Sequence, residues 1–343
     1  MWRNSPRLQL KAVLLGALCA AVAPALSIVP AGPEPSDAHR TESPPDEQAL
    51  FAIPTRIDRI GRIVVPVMIN GQGPFRFIVD TGASRSTLSP DVVSRLGLLH
   101  AAETQIEVNG ITGAAQVPTV MVANLRAGDF AISGESFPVL SAPIMAGADG
   151  ILGAAGLTMQ RLSVDFEHNK VALSEASASA TPLGFMRVRA QRLSGGLVAV
   201  PAHVGRVNVM AIIDTGSERT LGNIALRDAL NLVPRPGVPL ETTTVYGATS
   251  DAVPGETQVA PTISIEHLRI TDVTLTYGDF HIFEVWQMRH TPALIIGMDI
   301  LGTVAGLTID FKHQYVYIQG RGVLSASGPD ALHAYSLLRT GKR

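Results

Sequence analysis

The stretch FIVDTGASRSTLSP, residues 77–90, ends an apolar run on Asp80 and follows it at once with Thr81 and Gly82. Further along, AIIDTGSERTLGN, residues 211–223, repeats the arrangement with Asp214, Thr215 and Gly216, at an offset of 134 residues. The likeness extends outward on both sides. Upstream, Gly61-Arg62-Ile63-Val64-Val65-Pro66 matches Gly196-Leu197-Val198-Ala199-Val200-Pro201. Downstream, Ser89, Leu96 and Leu98 map onto Asn223, Leu230 and Leu232. The halves also end alike: Gly150-Ile151-Leu152-Gly153 and Asp165-Phe166-Glu167-His168 correspond to Leu294-Ile295-Ile296-Gly297 and Asp310-Phe311-Lys312-His313. So many markers in one order make an internal repeat, and hence two lobes of like fold.

Most segments between the markers are short, β-branched and bounded by Gly, Pro or Asn. RIVVPVMI, FRFIV, LVAVPAHV, NVMAII, PTISI and YVYIQ read as strands. Asn70-Gly71 and Asn109-Gly110 suit tight hairpin turns. Each half has one short helix, opened by an N-cap at Ser89 or Asn223; in the first copy Pro90 sits at N1 and Gly97 just past the end. The expected fold is mainly β, two lobes related by a pseudo-twofold axis, each with a short helix.

With 343 residues the chain can bury two cores of roughly 120–150 residues each. Charged residues are 16%, hydrophobic ones 46% and the formal net charge is −2, which excludes both a disordered chain and a basic footprint for nucleic acid. The polar stretch SEASASATP at 174–182 is the best internal boundary. It sets an N-terminal lobe at 55–175, an interlobe linker at 176–190, a C-terminal lobe at 191–320 and a peripheral tail at 321–343.

The N-terminus carries Arg3, Arg7 and Lys11, then the apolar run AVLLGALCAAVAPAL at residues 12–26. This reads as a secretory signal peptide over residues 1–25, cut after Ala23 or Ala25, with an uncleaved membrane anchor as the alternative. Residues 26–54, rich in Pro and acidic side chains, read as a linker. The single cysteine, Cys19, lies inside the apolar run, so the mature chain would hold no disulfide and no thiol nucleophile. Lipidation of Cys19 is the sharper alternative, disfavoured by Leu18 before it. A secreted or periplasmic location follows, with contact to a membrane only through a retained N-terminal segment.

An aspartate at the end of a buried strand needs hydrogen bonds. Gly82 allows a tight turn whose N–H groups reach the carboxylate, and Thr81 adds a hydroxyl. One such loop is ordinarily a structural turn. Two of them in pseudo-twofold lobes bring the carboxylates together, where they share a proton and titrate as a pair. Such a pair is an acid and a base at once, able to activate a water against a carbonyl without metal or covalent intermediate.

In these features the chain resembles the aspartic peptidases, specifically the retropepsin-like and pepsin-like group. Val79-Asp80-Thr81-Gly82-Ala83 is similar to the retroviral loop and Ile213-Asp214-Thr215-Gly216-Ser217 to the pepsin loop. The apolar pair followed by Gly occurs in both halves, as Ile151-Leu152-Gly153 and Ile295-Ile296-Gly297. The resemblance covers about residues 55–320 and implies the bilobal acid-protease fold, Asp80 and Asp214 as catalytic dyad, and an extended peptide in the interlobe cleft. It also implies that Thr81 and Thr215 hydrogen-bond across the lobes and that Gly82 and Gly216 carry the turn.

Family members cover the cleft with a mobile hairpin. Here each half has a candidate, residues 107–113 with Asn109, Gly110 and Ile111, and residues 244–250 with Tyr246 and Gly247; ordinary surface hairpins are the alternative. Ala83 against Ser217 suggests an unequal dyad, because a hydroxyl given to the outer oxygen of Asp214 would keep Asp214 the more readily ionised.

Nine histidines show no metal-ligand spacing. His168 and His313 fit polar hairpin turns, while His281 and His290 flank an extra aromatic stretch, Phe283-Glu284-Val285-Trp286, read as core cover with lining of the cleft as the alternative. No nucleophile elbow, P-loop or dinucleotide fingerprint occurs. The expectation is an exported aspartic endopeptidase acting on peptide or protein substrates, without cofactor, and a monomer because one chain carries both aspartates. The alternative is a catalytically silent peptide-binding or scaffolding module on the same fold.

Overall fold

The computed structural model describes residues 52–54, 56–57, 61–141, 145–176, 181–232, 241–249 and 251–321. The expected signal peptide, most of the expected linker and the tail beyond Arg321 lie outside them.

Among the described residues, three sheets carry the structure: one of eight strands in the first lobe, one of ten in the second, and one of six between them. The six-stranded sheet runs Ala52–Pro54, Lys170–Glu175, Gln160–Asp165, Gly306–Asp310, Tyr315–Gln319, Met186–Arg189. By the repeat, this order reads the same from either end. Its middle is the antiparallel pair Gln160–Asp165 and Gly306–Asp310, where Ser163 faces Thr308 and their hydroxyls lie 3.1 Å apart. A pseudo-twofold axis through that pair relates the lobes.

Two domain boundaries need correction. Ala52–Pro54 pairs with Lys170–Ala172, so the folded part reaches back into the segment assigned to the linker. Met186–Arg189 pairs with Tyr315–Ile318, so the connection between lobes is shorter than residues 176–190. Both segments are short edge strands, which carry little hydrophobic pattern of their own.

Within each lobe the same arrangement holds the Asp-Thr-Gly loop. The strand Gln72–Asp80 pairs in parallel with Gly150–Gly153, with Val79 opposite Leu152 and Asp80 opposite Gly153, while Thr87–Leu88 flanks that same strand on its other side. In the second lobe Val207–Ile213 pairs in parallel with Ala293–Ile296, and Leu221–Asn223 lies on the far side. The apolar pair before each glycine is therefore a central strand, buried on both faces, and its hydrophobic run reads as such. Phe77, Val79, Leu152, Ile213 and Ile296 all join the main core.

The helices form where the caps indicate. Ser89 accepts from the Val92 amide, Pro90 opens the helix Pro90–Leu96, and Gly97 closes it in the left-handed conformation at φ 59°. Asn223 does more than cap Ile224–Ala229. Its Oδ1 accepts from the amides of Leu226 and Ala293, and its Nδ2 donates to the carbonyls of Met288 and Thr291. One side chain thus ties the extra segment of the second lobe to its core. Asn70-Gly71 forms the expected turn, both residues having positive φ. Asn109-Gly110 does not: Asn109 ends the strand His100–Asn109, and the tip spans residues 110–113, closed by the Gly110 amide donating to the Gly113 carbonyl at 2.8 Å.

Candidate active site

The strands Gln72–Asp80 and Val207–Ile213 deliver their two aspartates to the interlobe boundary from opposite sides. Asp80 Oδ1 accepts from the amides of Gly82 and Ala83 at 2.9 and 2.8 Å. Asp214 Oδ1 accepts from the amides of Gly216 and Ser217 at 2.9 and 3.0 Å. Each loop therefore folds back on its own carboxylate and spends one oxygen doing so. The second oxygen of each takes no bond from its own loop, and the two carboxyl groups act on one another's ionisation.

Two threonines fix that meeting. Thr81 Oγ1 donates to the Ile213 carbonyl at 2.7 Å and accepts from the Thr215 amide at 3.2 Å. Thr215 Oγ1 does the same in return, to the Val79 carbonyl at 2.7 Å and from the Thr81 amide at 3.2 Å. Both side chains are fully buried. In such surroundings an unmade hydrogen bond costs about 1–3 kcal/mol, so the four bonds set the lobes in a single register.

Gly82 and Gly216 serve for a reason other than the expected one. Neither has positive φ, so neither is needed to make the turn. A methyl on Gly82 would instead collide with the Asp214 carboxylate, and one on Gly216 with that of Asp80. Only hydrogen fits where each loop passes under the opposing carboxyl.

Burial pushes both carboxyls above their ordinary value. For Asp214 the charge of Asp80 adds to burial, and the carboxyl lies well above the usual range. For Asp80 the amides of Ala83 and Gly82, the hydrogen bond with Asp214 and the charge of Arg62 oppose the rise. The asymmetry read from Ala83 and Ser217 lacks the hydrogen bond it called for. The Ser217 hydroxyl donates to the Arg219 carbonyl at 2.8 Å, so it is turned to its own loop.

The pair opens on a cavity of about 850 Å³. Asn109, Gly110, Ile111, Tyr246 and Gly247 all lie on its wall, as the tips of two hairpins, one from each lobe. The tips meet: Thr112 and Thr249 hydroxyls lie 3.1 Å apart and both residues are buried. Tyr246 is 58% exposed at the cavity mouth. Three further features complete the wall. Arg62 and Leu197 occupy equivalent positions, the first a charge and the second apolar; Arg85 and Arg219 form an equivalent pair of charges. Ile282, Val285 and Trp286, on or just after the helix His281–Val285, add an apolar face from the second lobe. The extra segment therefore lines the cleft as well as covering the core through Phe280 and Phe283. His281 Nε2 also meets Asn109 Oδ1 at 2.8 Å, tying this helix to the first hairpin.

His168 and His313 lie in their turns against Asp165 and Asp310, with Nδ1 at 2.7 Å from Asp165 Oδ2 and 2.9 Å from Asp310 Oδ2. Among the described residues no cluster of three or more His, Cys, Asp and Glu could hold a metal. Among them, too, no helix is long and apolar enough to cross a membrane.

A family model described as aspartyl protease matches residues 65–155 and, separately, residues 200–300. Each match contains one Asp-Thr-Gly loop and the glycine-ended strand beside it, and together they span more than half of the chain. No curated protein matches the chain.

Proposed function

Because the chain belongs to the aspartyl protease family, we propose that it is an exported endopeptidase in which Asp80 and Asp214 together activate one water. The observation that carries this reading is the reciprocal threonine clasp, which presents two buried carboxyls to each other under one cavity. Raised carboxyls that cannot both ionise hold one proton between them. The ionised member takes a proton from the water while the protonated member gives its own to the scissile carbonyl oxygen. The water oxygen bonds to carbon and a neutral tetrahedral diol forms. On collapse the C–N bond breaks, the leaving nitrogen takes a proton from the acid just formed, and the diol returns one to the other carboxylate. Both carboxyls then stand as they began.

A peptide entering the cleft would lie under both hairpin tips, in contact with edge strands that can accept an added chain. Peptide or protein is thus the substrate class, and one chain supplies both carboxylates, as a monomer requires. Export rests on the basic and apolar N-terminus of the sequence. Digestion of a peptide library by wild type and by Asp80→Asn tests the activity. Cleavage by wild type alone supports it; equal cleavage by both refutes the mechanism, and no cleavage by either favours a silent binding module.

A further inference from the structure

The ladder between Ile63–Ile69 and Gln72–Asp80 begins at its turn with Ile69 opposite Gln72, slips by one residue between Val67 and Ile69, and continues with Val64 opposite Ile78. Carried two residues further, that register sets Arg62 opposite Asp80. In the second lobe Val204 faces Val207 and Ala199 faces Ile212 without a slip, and the same extension sets Leu197 opposite Asp214. Directly opposed residues of an antiparallel pair have Cβ atoms about 4.5–5.5 Å apart. Arg62 and Leu197 both line the cavity and are 3% and 2% exposed. The extended registers thus set an arginine position across from one aspartate and a leucine position across from the other.

We propose that Arg62 makes the dyad unequal, holding Asp80 as the carboxylate that takes the proton from water and leaving the shared proton on Asp214. This rests on the peptidase reading above and assigns its two roles. The water proton goes to Asp80 as the oxygen–carbon bond forms, and the Asp214 proton goes to the carbonyl oxygen. On collapse Asp80 protonates the leaving nitrogen and Asp214 recovers its proton from the diol.

The other charged groups on the cavity wall leave this polarity in place. Arg85 and Arg219 are equivalent by the repeat but differently engaged: Arg85 donates to the Ser136 carbonyl, while Arg219 Nε lies 3.6 Å from Glu218 Oε1. Glu218 has Ser84 as its counterpart, so it adds negative charge on the Asp214 side. Glu107 and Tyr246 stand on the two hairpins, Glu107 accepting from Asn109 Nδ2 at 3.3 Å. His281 also lies against Asn109. The charge of Arg62 lowers the Asp80 carboxyl against the rise from burial.

Carbon-13 NMR of the full chain labelled at aspartate Cγ, with the two resonances assigned through Asp80→Asn and Asp214→Asn, reads each ionisation with no substrate present. Asp80 is expected to ionise first as pH rises. In Arg62→Leu its midpoint should climb by about one pH unit or more, and Arg62→Lys should stay near wild type. An Asp214 that ionises first in wild type overturns the proposal, as does an Asp80 midpoint unmoved by Arg62→Leu. Should Arg62→Leu not fold, the wild-type order alone decides. The titration needs no turnover, so its failure leaves peptide hydrolysis standing, and failure of the library digestion leaves the titration readable.

Discussion

Thr81 and Thr215 bond to each other's strands and not to their own: each hydroxyl donates to the carbonyl just before the opposing aspartate and accepts from the opposing threonine amide. The lobes are thereby locked beside Asp80 and Asp214.

Thr81→Val keeps the shape and removes the hydroxyl, leaving the Ile213 carbonyl and the Thr215 amide unpaired in a dry site. It should lower stability by about 2–4 kcal/mol in denaturant unfolding and peptide cleavage by at least about tenfold. Thr81→Ser should stay close to wild type in both.

Gly82→Ala places a methyl against the Asp214 carboxylate. A displacement on the order of 1 Å at reacting groups loses about a hundredfold in rate. The variant should lose that much in kcat or more while circular dichroism still shows the β fold.

His281→Ala releases the first hairpin from the helix His281–Val285 by removing the contact to Asn109. A hairpin that closes less often binds substrate less well, so KM should rise by about three- to tenfold, corresponding to roughly one hydrogen bond, with kcat little changed.

Stability should respond to pH in two opposite ways. Asp80 and Asp214 are raised above 3.8, so the stability associated with them is present below that value and is lost as pH climbs through their folded values. Asp310 is the reverse: burial raises it, but the His313 amide and ring and the Arg161 guanidinium outweigh burial and hold it below 3.8. Its contribution is present above 3.8 and is lost as pH falls through the lowered value. Melting temperatures across pH should therefore show Asp214→Asn flattening the loss at higher pH and Asp310→Asn flattening the loss in acid. Asp310→Ala, which removes the carboxylate paired with the buried Arg161, should cost about 3–5 kcal/mol.

The paired aspartates and the strands behind them are legible in the sequence because the repeat shows each of them twice; the clasp is implied by the family resemblance. Asp80 and Asp214, or Ile151-Leu152 and Ile295-Ile296, mean little singly and much in the same order in both halves. The helix His281–Val285 is not legible, since the first lobe has no counterpart and a helix of five residues shows no period. Arg62 is hidden for a different reason. Counting back from the Asn70-Gly71 turn puts it opposite Val79, and only the slip near Val67 moves it opposite Asp80. Ser217 misleads because a hydroxyl next to a carboxylate in sequence is free to turn to the nearer Arg219 carbonyl.

The central claim is that Asp80 and Asp214 work as one unit. It is tested most directly by the cleavage rate of wild type, Asp80→Asn, Asp214→Asn and the double variant on a peptide selected from the library. Residues acting as a unit are strongly non-additive. Each single variant should fall by about a thousandfold or more, and the double variant should be no slower than the slower single one. A single variant that keeps its rate, or two losses that simply multiply, would contradict the account.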